Sequence, residues 1–200
     1  MKILIGCEYS GIVREAFKAI GFTGTMSCDL LPTEIPGNHY QGDIRDILYL
    51  GWDLLIVFPP CTYLRSSGLH WNKNNPERRE KTEDALEFVK ELLDAPIQHI
   101  ALENPVGCIS TRICPPDQYV QPHEFGHDAS KKTGLWLKNL PKLKGTKYVE
   151  PRIVNGKKRW ANQTDSGQNK LPQTEDRWKL RSQTYQGIAD AMADQWRETI

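Results

Sequence analysis

No stretch of this 200-residue sequence approaches the roughly eighteen consecutive apolar residues that a membrane span requires. The N-terminal run MKILIG is too short, and turns acidic at Glu8 too soon, for a secretory signal, so a cytoplasmic protein without a membrane partner is expected. Cysteine is sparse as well: Cys7, Cys28, Cys61, Cys108 and Cys114 are an odd number at irregular spacing, which excludes a disulfide framework and leaves free thiols. Neither internal repeats nor low-complexity tracts occur. Charge of one sign is nearly absent overall, since 26 basic side chains face 25 acidic ones for a net charge of +1. What is present, 38% hydrophobic and 26% charged residues, suits one folded domain spanning residues 1–200 with a core of its own and excludes a disordered or fibrous chain.

The near-neutral total hides an uneven distribution. Residues 139–182 hold eleven Lys or Arg against four acids (Glu150, Asp165, Glu175, Asp176), a local charge of +7 that leaves −6 on the remainder. A basic segment on one part of a neutral protein suits a polyanionic partner met by one face; a solvated charged loop is the other reading.

Apolar periodicity supplies the fold class. Residues 2–6 are a short apolar run, and after Cys7-Glu8-Tyr9-Ser10-Gly11 the residues Ile12, Val13, Ala16, Phe17 and Ile20 recur at helical spacing as far as Gly21. A second strand is expected over Thr23–Cys28, a denser one over Asp53–Phe58, a helix over Asp84–Leu93 and a strand over Ile97–Leu102. Strands are also expected over Gly134–Leu137, where Trp136 reads as core, and over Thr146–Val154. Residues 155–177 read as polar and turn-rich, and Gly187–Arg197 as an amphipathic helix with Ile188, Met192 and Trp196 four apart. Alternating strands and helices predict an α/β domain with a single doubly wound, mainly parallel sheet. Ligands of such sheets sit beyond the carboxyl ends of the strands, and those ends carry Cys7-Glu8, Asp29, Pro60-Cys61 and Glu103-Asn104.

Cys61 follows an apolar strand and two prolines that fix the backbone, and precedes a polar stretch, Thr62 to Lys81. A thiol presented in this way is a nucleophile if its thiolate is stabilised locally; otherwise it is a small apolar residue at a strand end. Glu103 ends the next strand. It reads either as a proton donor or hydrogen-bond partner for a heterocyclic base, or as an exposed acid beside a helix capped by Asn104. Cys108, Cys114, His123 and His127 lack the paired spacing of structural zinc. His123-Glu124-Phe125-Gly126-His127 matches HExxH, a pattern that works only on a helix, and Pro122 and Gly126 argue against one. No metal site is expected.

The order strand–CEYSG–helix, Asp29, Gly42-Asp43-Ile44, Pro60-Cys61, Glu103-Asn104 and amphipathic C-terminal helix resembles the motif series of the DNA cytosine-5 methyltransferases. The chain is similar over nearly its full length to a short group of phage and prophage cytosine-methylase-like proteins. The likeness lies in DLLIVFPPCTYLRSSG, ALENPVG, LWLKNLP and RWKLRSQTYQGIADAMADQW. The resemblance implies a Rossmann-like, class I methyltransferase fold and S-adenosylmethionine as cofactor. It makes Cys61 the thiolate that adds to carbon 6 of cytosine and Glu103 the group that holds ring nitrogen 3 and the exocyclic amine. Cys7, Glu8, Tyr9, Ser10 and Gly11 would surround the cofactor, with Asp29 on the ribose, Asp43 at the adenine amine and Pro59 alongside. Pro60, Ser66, Ser67, Asn104, Lys131, Lys132, Lys157, Lys158 and Arg159 would meet the substrate. Residues 62–81 would be the mobile loop that closes over the base.

Four departures from the family pattern shape the expectation. CEYSG keeps one glycine where the family has FxGxGG, Glu-Asn-Val is Glu-Asn-Pro, and Lys131-Lys132 is the nearest basic pair to the family's Arg-x-Arg. About fifty residues separate the Gly134–Leu137 strand from the last helix, too few for a large recognition domain. Trp160 and Trp178, interleaved with the basic side chains, could stack on a base, so single- or double-stranded DNA read with short specificity is expected. The alternatives are the same covalent chemistry on a free cytosine nucleotide or with another substituent, and a non-catalytic binder of cofactor or nucleic acid that blunts host restriction.

Overall fold

In β1 (Ile3–Gly6), Ile3 and Ile5 enter one hydrophobic core and Leu4 the other, the period-two division of a strand covered on both faces. The neighbouring β4 (Leu54–Val57) divides in the same way, with Leu54 and Ile56 on one side and Leu55 and Val57 on the other. Around these two lie β2 (Thr25–Asp29), β3 (His39–Gln41), β5 (His99–Pro105), β6 (Gln118–Val120) and β7 (Thr133–Lys138). This computed structural model describes residues 1–175 and 177–200; Asp176, one of the four acids of the basic segment, lies outside the described residues.

The seven strands are ordered β3-β2-β1-β4-β5-β7-β6. Pairing is parallel from β3 through β5, and β7 runs antiparallel to both β5 and β6. This is the doubly wound, mainly parallel, Rossmann-like α/β sheet expected from the periodicity. On one face α1 (Ile12–Ala19) and α6 (Gln186–Trp196) pack through Val13, Phe17, Ile188, Met192 and Trp196. Their intervening segments include three shorter helices, α2 (Ser66–Leu69), α4 (Ile109–Arg112) and α5 (Arg177–Ser182). On the opposite face α3 (Pro76–Leu93) buries Leu86, Val89 and Leu92. Trp136 is buried in β7, as its surroundings in the sequence predicted.

Two local expectations are corrected and one gains detail. The polar stretch 62–81 holds α2, a 3-10 turn over His70–Asn74 and the first turn of α3. That helix starts at Pro76 because the Asn75 side chain accepts the Arg78 N–H at 2.9 Å and proline at the first helical position loses no bond. The strand expected over Thr146–Val154 shrinks to β8 (Arg152–Val154), since Pro151 interrupts the ladder. It pairs with β9 (Lys157–Arg159) across Asn155-Gly156, whose φ values of 50° and 73° are those of a tight hairpin turn. Asn104 does not cap a helix; it lies inside β5. β3 and β6, each three residues long, are too short to impose a period on the sequence.

Candidate functional site

The carboxyl ends of β1, β2, β4 and β5 meet at one edge of the sheet. After Gly6 the chain turns through Cys7 at φ 55° and reaches Gly11 at φ 78°, the left-handed residue that opens α1. The Glu8 N–H donates to the Cys28 carbonyl at 3.0 Å, which fixes this turn against β2. Its side chain is 5% exposed. The Ser10 hydroxyl donates to Glu8 Oε1 while accepting the Ile12 N–H at 3.3 Å; Glu8 Oε2 is buried with no partner among the described residues. Burial pushes the Glu8 carboxyl above the usual carboxylate range, against the opposing hydrogen bond from Ser10 and the charge of Arg14.

Arg14 was not singled out by sequence reasoning. It is fully buried one turn into α1, donating to Ser27 Oγ at 2.7 Å, Thr33 Oγ1 at 3.2 Å and the Ile35 carbonyl. It ties the first turn to the loop after β2, and because Arg14 falls beside the apolar stripe of α1 and not in it, no local pattern marked its burial.

Asp29 closes β2, accepting the Leu31 N–H at 2.9 Å, and burial raises its pKa. Asp43 is exposed and accepts the Arg45 N–H at 3.0 Å. Burial, and then both carboxylates, push the Cys7 thiol up; burial first, and then the same carboxylates with Asp46, push Cys28 up to about 12. The structure therefore gathers Cys7, Asp29 and Asp43 at one place. A small cleft beside it is lined by Glu8, Ser10, Phe58 and Thr184. Tyr9 serves as a strut there: its hydroxyl donates to the Lys179 carbonyl at 2.8 Å and lies 3.2 Å from Ser182 Oγ, which holds α5 over the edge.

Phe58 and Thr184 also line a second cleft, with Glu103, Lys131 and Thr133. Cys61 is half-buried nearby, the first residue of a turn in which Leu64 and Arg65 donate N–H groups to its carbonyl at 3.1 and 3.0 Å. Burial raises its thiol pKa; Arg65, Lys131 and Arg181 oppose that shift and Glu103 adds to it. Burial also raises the Glu103 carboxyl, against Lys131 and a hydrogen bond from Thr133. Cys61 and Glu103 thus share one electrostatic environment, with Lys131 acting on both.

The remaining expected residues divide between this site and the surface. Pro59 is buried, and its carbonyl accepts Asn104 Nδ2 at 2.7 Å. Asn104, expected at the substrate, is wholly buried: its Nδ2 locks the proline turn to β5, and its Oδ1 has no partner among the described residues. Pro60, Ser66 and Ser67 are exposed around Cys61. Lys131 reaches the Gln183 carbonyl at 3.3 Å, whereas Lys132 leaves the site and lies 4.3 Å from the Tyr119 ring centroid. Lys157 and Lys158 are exposed on β9, and Arg159 is occupied with the Asp165 carbonyl at 3.0 Å. Trp160, expected to stack on a base, stacks on His123 at 4.1 Å, but Trp178 is 54% exposed. Phe58, Arg65, Thr133, Arg181 and Thr184 were missed as site residues. Arg65 alone had a local signal, four residues beyond Cys61.

His123 and Glu124 occupy a single 3-10 turn, and His127 Nε2 accepts the Gly187 N–H at 2.9 Å, so the HExxH letters do not lie on one helix face. Among the described residues no group of three or more His, Cys, Asp or Glu could hold a metal ion, and no helix is long and apolar enough to cross a membrane.

Because desolvation outweighs the three cations, alkylation of Cys61 by iodoacetamide is expected to be slow at pH 7 and to keep climbing beyond the ordinary thiol value of 9.0. Lys131→Met should move the rise to still higher pH. Peptide mapping by mass spectrometry follows Cys61 separately from exposed Cys114. A rate already level at pH 8 would mean that the cations win.

No family model and no curated protein matches the chain. Among solved structures it is similar to a protein described as a candidate DNA modification methyltransferase encoded within an Escherichia coli prophage. The two are 14% identical with a TM-score of 0.41, over 68% of this chain and 46% of that one. The chain spans about half the length of that protein.

Proposed function

We propose that this chain is a cytosine carbon-5 methyltransferase of a minimal type, acting in the cytoplasm on DNA through a covalent bond to Cys61. The observation that carries the reading is the placement of Cys61, just after β4, and of Glu103, near the end of the adjacent parallel strand β5, at one edge of the sheet, with the charges of Glu103 and Lys131 both acting on the thiol. Residues 1–200 are read as one domain, in which 139–182 serves as a reduced recognition segment.

The cofactor-side residues fit S-adenosylmethionine on their chemistry. The unpartnered buried Glu8 oxygen calls for a donor, which the amino group of the methionine moiety would supply. Asp29 is a hydrogen-bond acceptor at the second strand end for ribose hydroxyls, Asp43 one for the adenine amine, and Pro59 and the Cys7–Gly11 turn form the wall. When bound, the cofactor supplies an electrophilic methyl group to carbon 5.

The chain's own residues make carbon 5 a nucleophile. Cys61 gives its proton to a solvent base, Sγ adds as thiolate to carbon 6, and the double-bond pair moves to carbon 5. Glu103, whose carboxyl burial shifts toward the acid form, donates to ring nitrogen 3 and stabilises the charge that develops there. After carbon 5 is methylated, its proton leaves to a solvent base, the ring double bond re-forms and the Sγ–carbon 6 bond breaks. In a duplex the target base must first leave the stack.

Calorimetry with S-adenosylmethionine tests the cofactor half. Wild-type protein should bind, and Asp29→Ala should weaken binding about tenfold or more, the scale of a hydrogen bond to a charged group. No heat with either protein at millimolar cofactor would end the methyltransferase reading. On the nucleic-acid side, neutralising Lys157, Lys158 and Arg159 together should weaken binding across sequences and flatten its salt dependence. An unchanged salt slope would make the hairpin a solvated surface and favour a free cytosine nucleotide as substrate.

A further inference from the structure

We propose that Arg78 is a positioning residue for Cys61: it clasps residues 62–68 to the first turn of α3, so that the thiol is presented by a preformed segment and not by a loop that closes over the substrate. The inference rests on the reading of Cys61 as the reacting group.

The segment is gripped from two sides. Arg78 Nη2 donates to the Thr62 carbonyl at 3.0 Å and Nε to the Gly68 carbonyl at 3.4 Å, so one guanidinium holds both ends of the segment that follows Cys61. Its Cζ also lies over the Tyr63 ring, 4.9 Å from the centroid. One turn further along α3, on the same face, the buried Thr82 hydroxyl lies 3.2 Å from the Tyr63 carbonyl. On the other side the chain beyond β5 holds the segment: the Ser66 N–H donates to the Val106 carbonyl at 3.0 Å, and the Cys108 N–H to the Leu64 carbonyl at 2.8 Å. Both approaches need glycine. A Cβ on Gly107 would collide with the Leu64 carbonyl, and one on Gly68 would come within 2.8 Å of Arg78 Nη2.

The Asn75 cap fixes where Arg78 stands in the first turn of α3. Arg78 enters no ion pair among the described residues, so its head group is spent on backbone carbonyls, which a planar fork grips in pairs and a lysine ammonium does not. Swinging the segment out would break the bonds from Arg78, Ser66 and Cys108 and expose Leu64, which is fully buried. A thiol at the root of such a segment holds its geometry before substrate arrives, and that is where positioning contributes to rate.

Hydrogen exchange and covalent trapping test this on wild type, Arg78→Gln, Arg78→Lys and a control, Arg79→Gln, which removes an exposed charge at the next position. In wild type the amides of Leu64, Arg65, Ser66 and Gly68 should be protected, equally with and without a cytosine-containing oligonucleotide. Their exchange should rise about tenfold or more in Arg78→Gln. With cofactor and a 5-fluorocytosine oligonucleotide, the limiting rate of adduct formation should fall about tenfold or more in Arg78→Gln and partly recover in Arg78→Lys. Cofactor binding and the half-saturating oligonucleotide concentration should stay unchanged, a split that general loosening of the fold would not give. Arg79→Gln should match wild type throughout. Protection that appears only with oligonucleotide, unchanged exchange or trapping in Arg78→Gln, or equal losses in Arg79→Gln overturns the inference and leaves the Cys61 chemistry standing. Arg78-dependent protection with no adduct in any protein supports the clasp and removes the Cys61 reading.

Discussion

Incubated with S-adenosylmethionine and an oligonucleotide containing 5-fluorocytosine, the wild-type protein is expected to gain the mass of a methylated covalent adduct, and Cys61→Ser to gain none. Fluorine cannot leave carbon 5 as a proton does, so the elimination that frees Cys61 Sγ is blocked once carbon 5 carries both substituents. A serine hydroxyl in the same half-buried turn is far too weak an acid to ionise there, and the adduct is lost outright. Cofactor binding should survive in Cys61→Ser, because the Glu8, Asp29 and Asp43 side of the edge is untouched. Glu103→Gln should slow adduct formation about a hundredfold or more, the usual contribution of a positioned general acid. Intact-protein mass spectrometry reads all three. Adduct formation that persists in Cys61→Ser would move the nucleophile elsewhere.

The second large effect is on stability. Trp196→Ala is expected to cost about 3–5 kcal/mol, the range for removing a fully buried large aromatic side chain. Trp196 is 0% exposed, packs with α1 and the sheet through the same core, and donates its indole N–H to the Pro141 carbonyl at 2.9 Å. A domain of this size has about 5–15 kcal/mol in total, so the variant should lose a large fraction of its margin in urea titration. The loss has a functional side: α6 follows α5 and the Ser182–Thr184 segment that roofs both clefts. Loosening α6 should therefore weaken cofactor binding even where the protein is still folded. A midpoint shift under about 1 kcal/mol would mean that α6 is not docked as described.

Trp196 was legible in the sequence because Ile188, Met192 and Trp196 mark one face of a helix, and such periodicity needs no partner to be read. The same holds for β1, α1 and β4, whose apolar residues are dense enough to announce both element type and burial. Cys61 and Glu103 were legible for a related reason: both stand where an apolar run stops, and in a parallel sheet those stops fall on one edge. What the sequence by itself determined is thus the class of sheet and the edge at which its chemistry collects. Tertiary structure alone decided the rest. It turned the polar 62–81 stretch into helical turns, because the Asn75 cap and the contacts of Thr82 with Tyr63 and Asn72 stabilise what composition leaves neutral. Asn104 Nδ2 was tied to the Pro59 carbonyl across 45 residues, a partner that no local motif marks, while its Oδ1 stays buried without a partner among the described residues. The charge of Arg181, more than a hundred residues from Cys61 along the chain, acts on the thiol because α5 is anchored at this edge by Tyr9. Contacts of that span leave no period or local motif, so the environment of the thiol became readable only once the chain had folded.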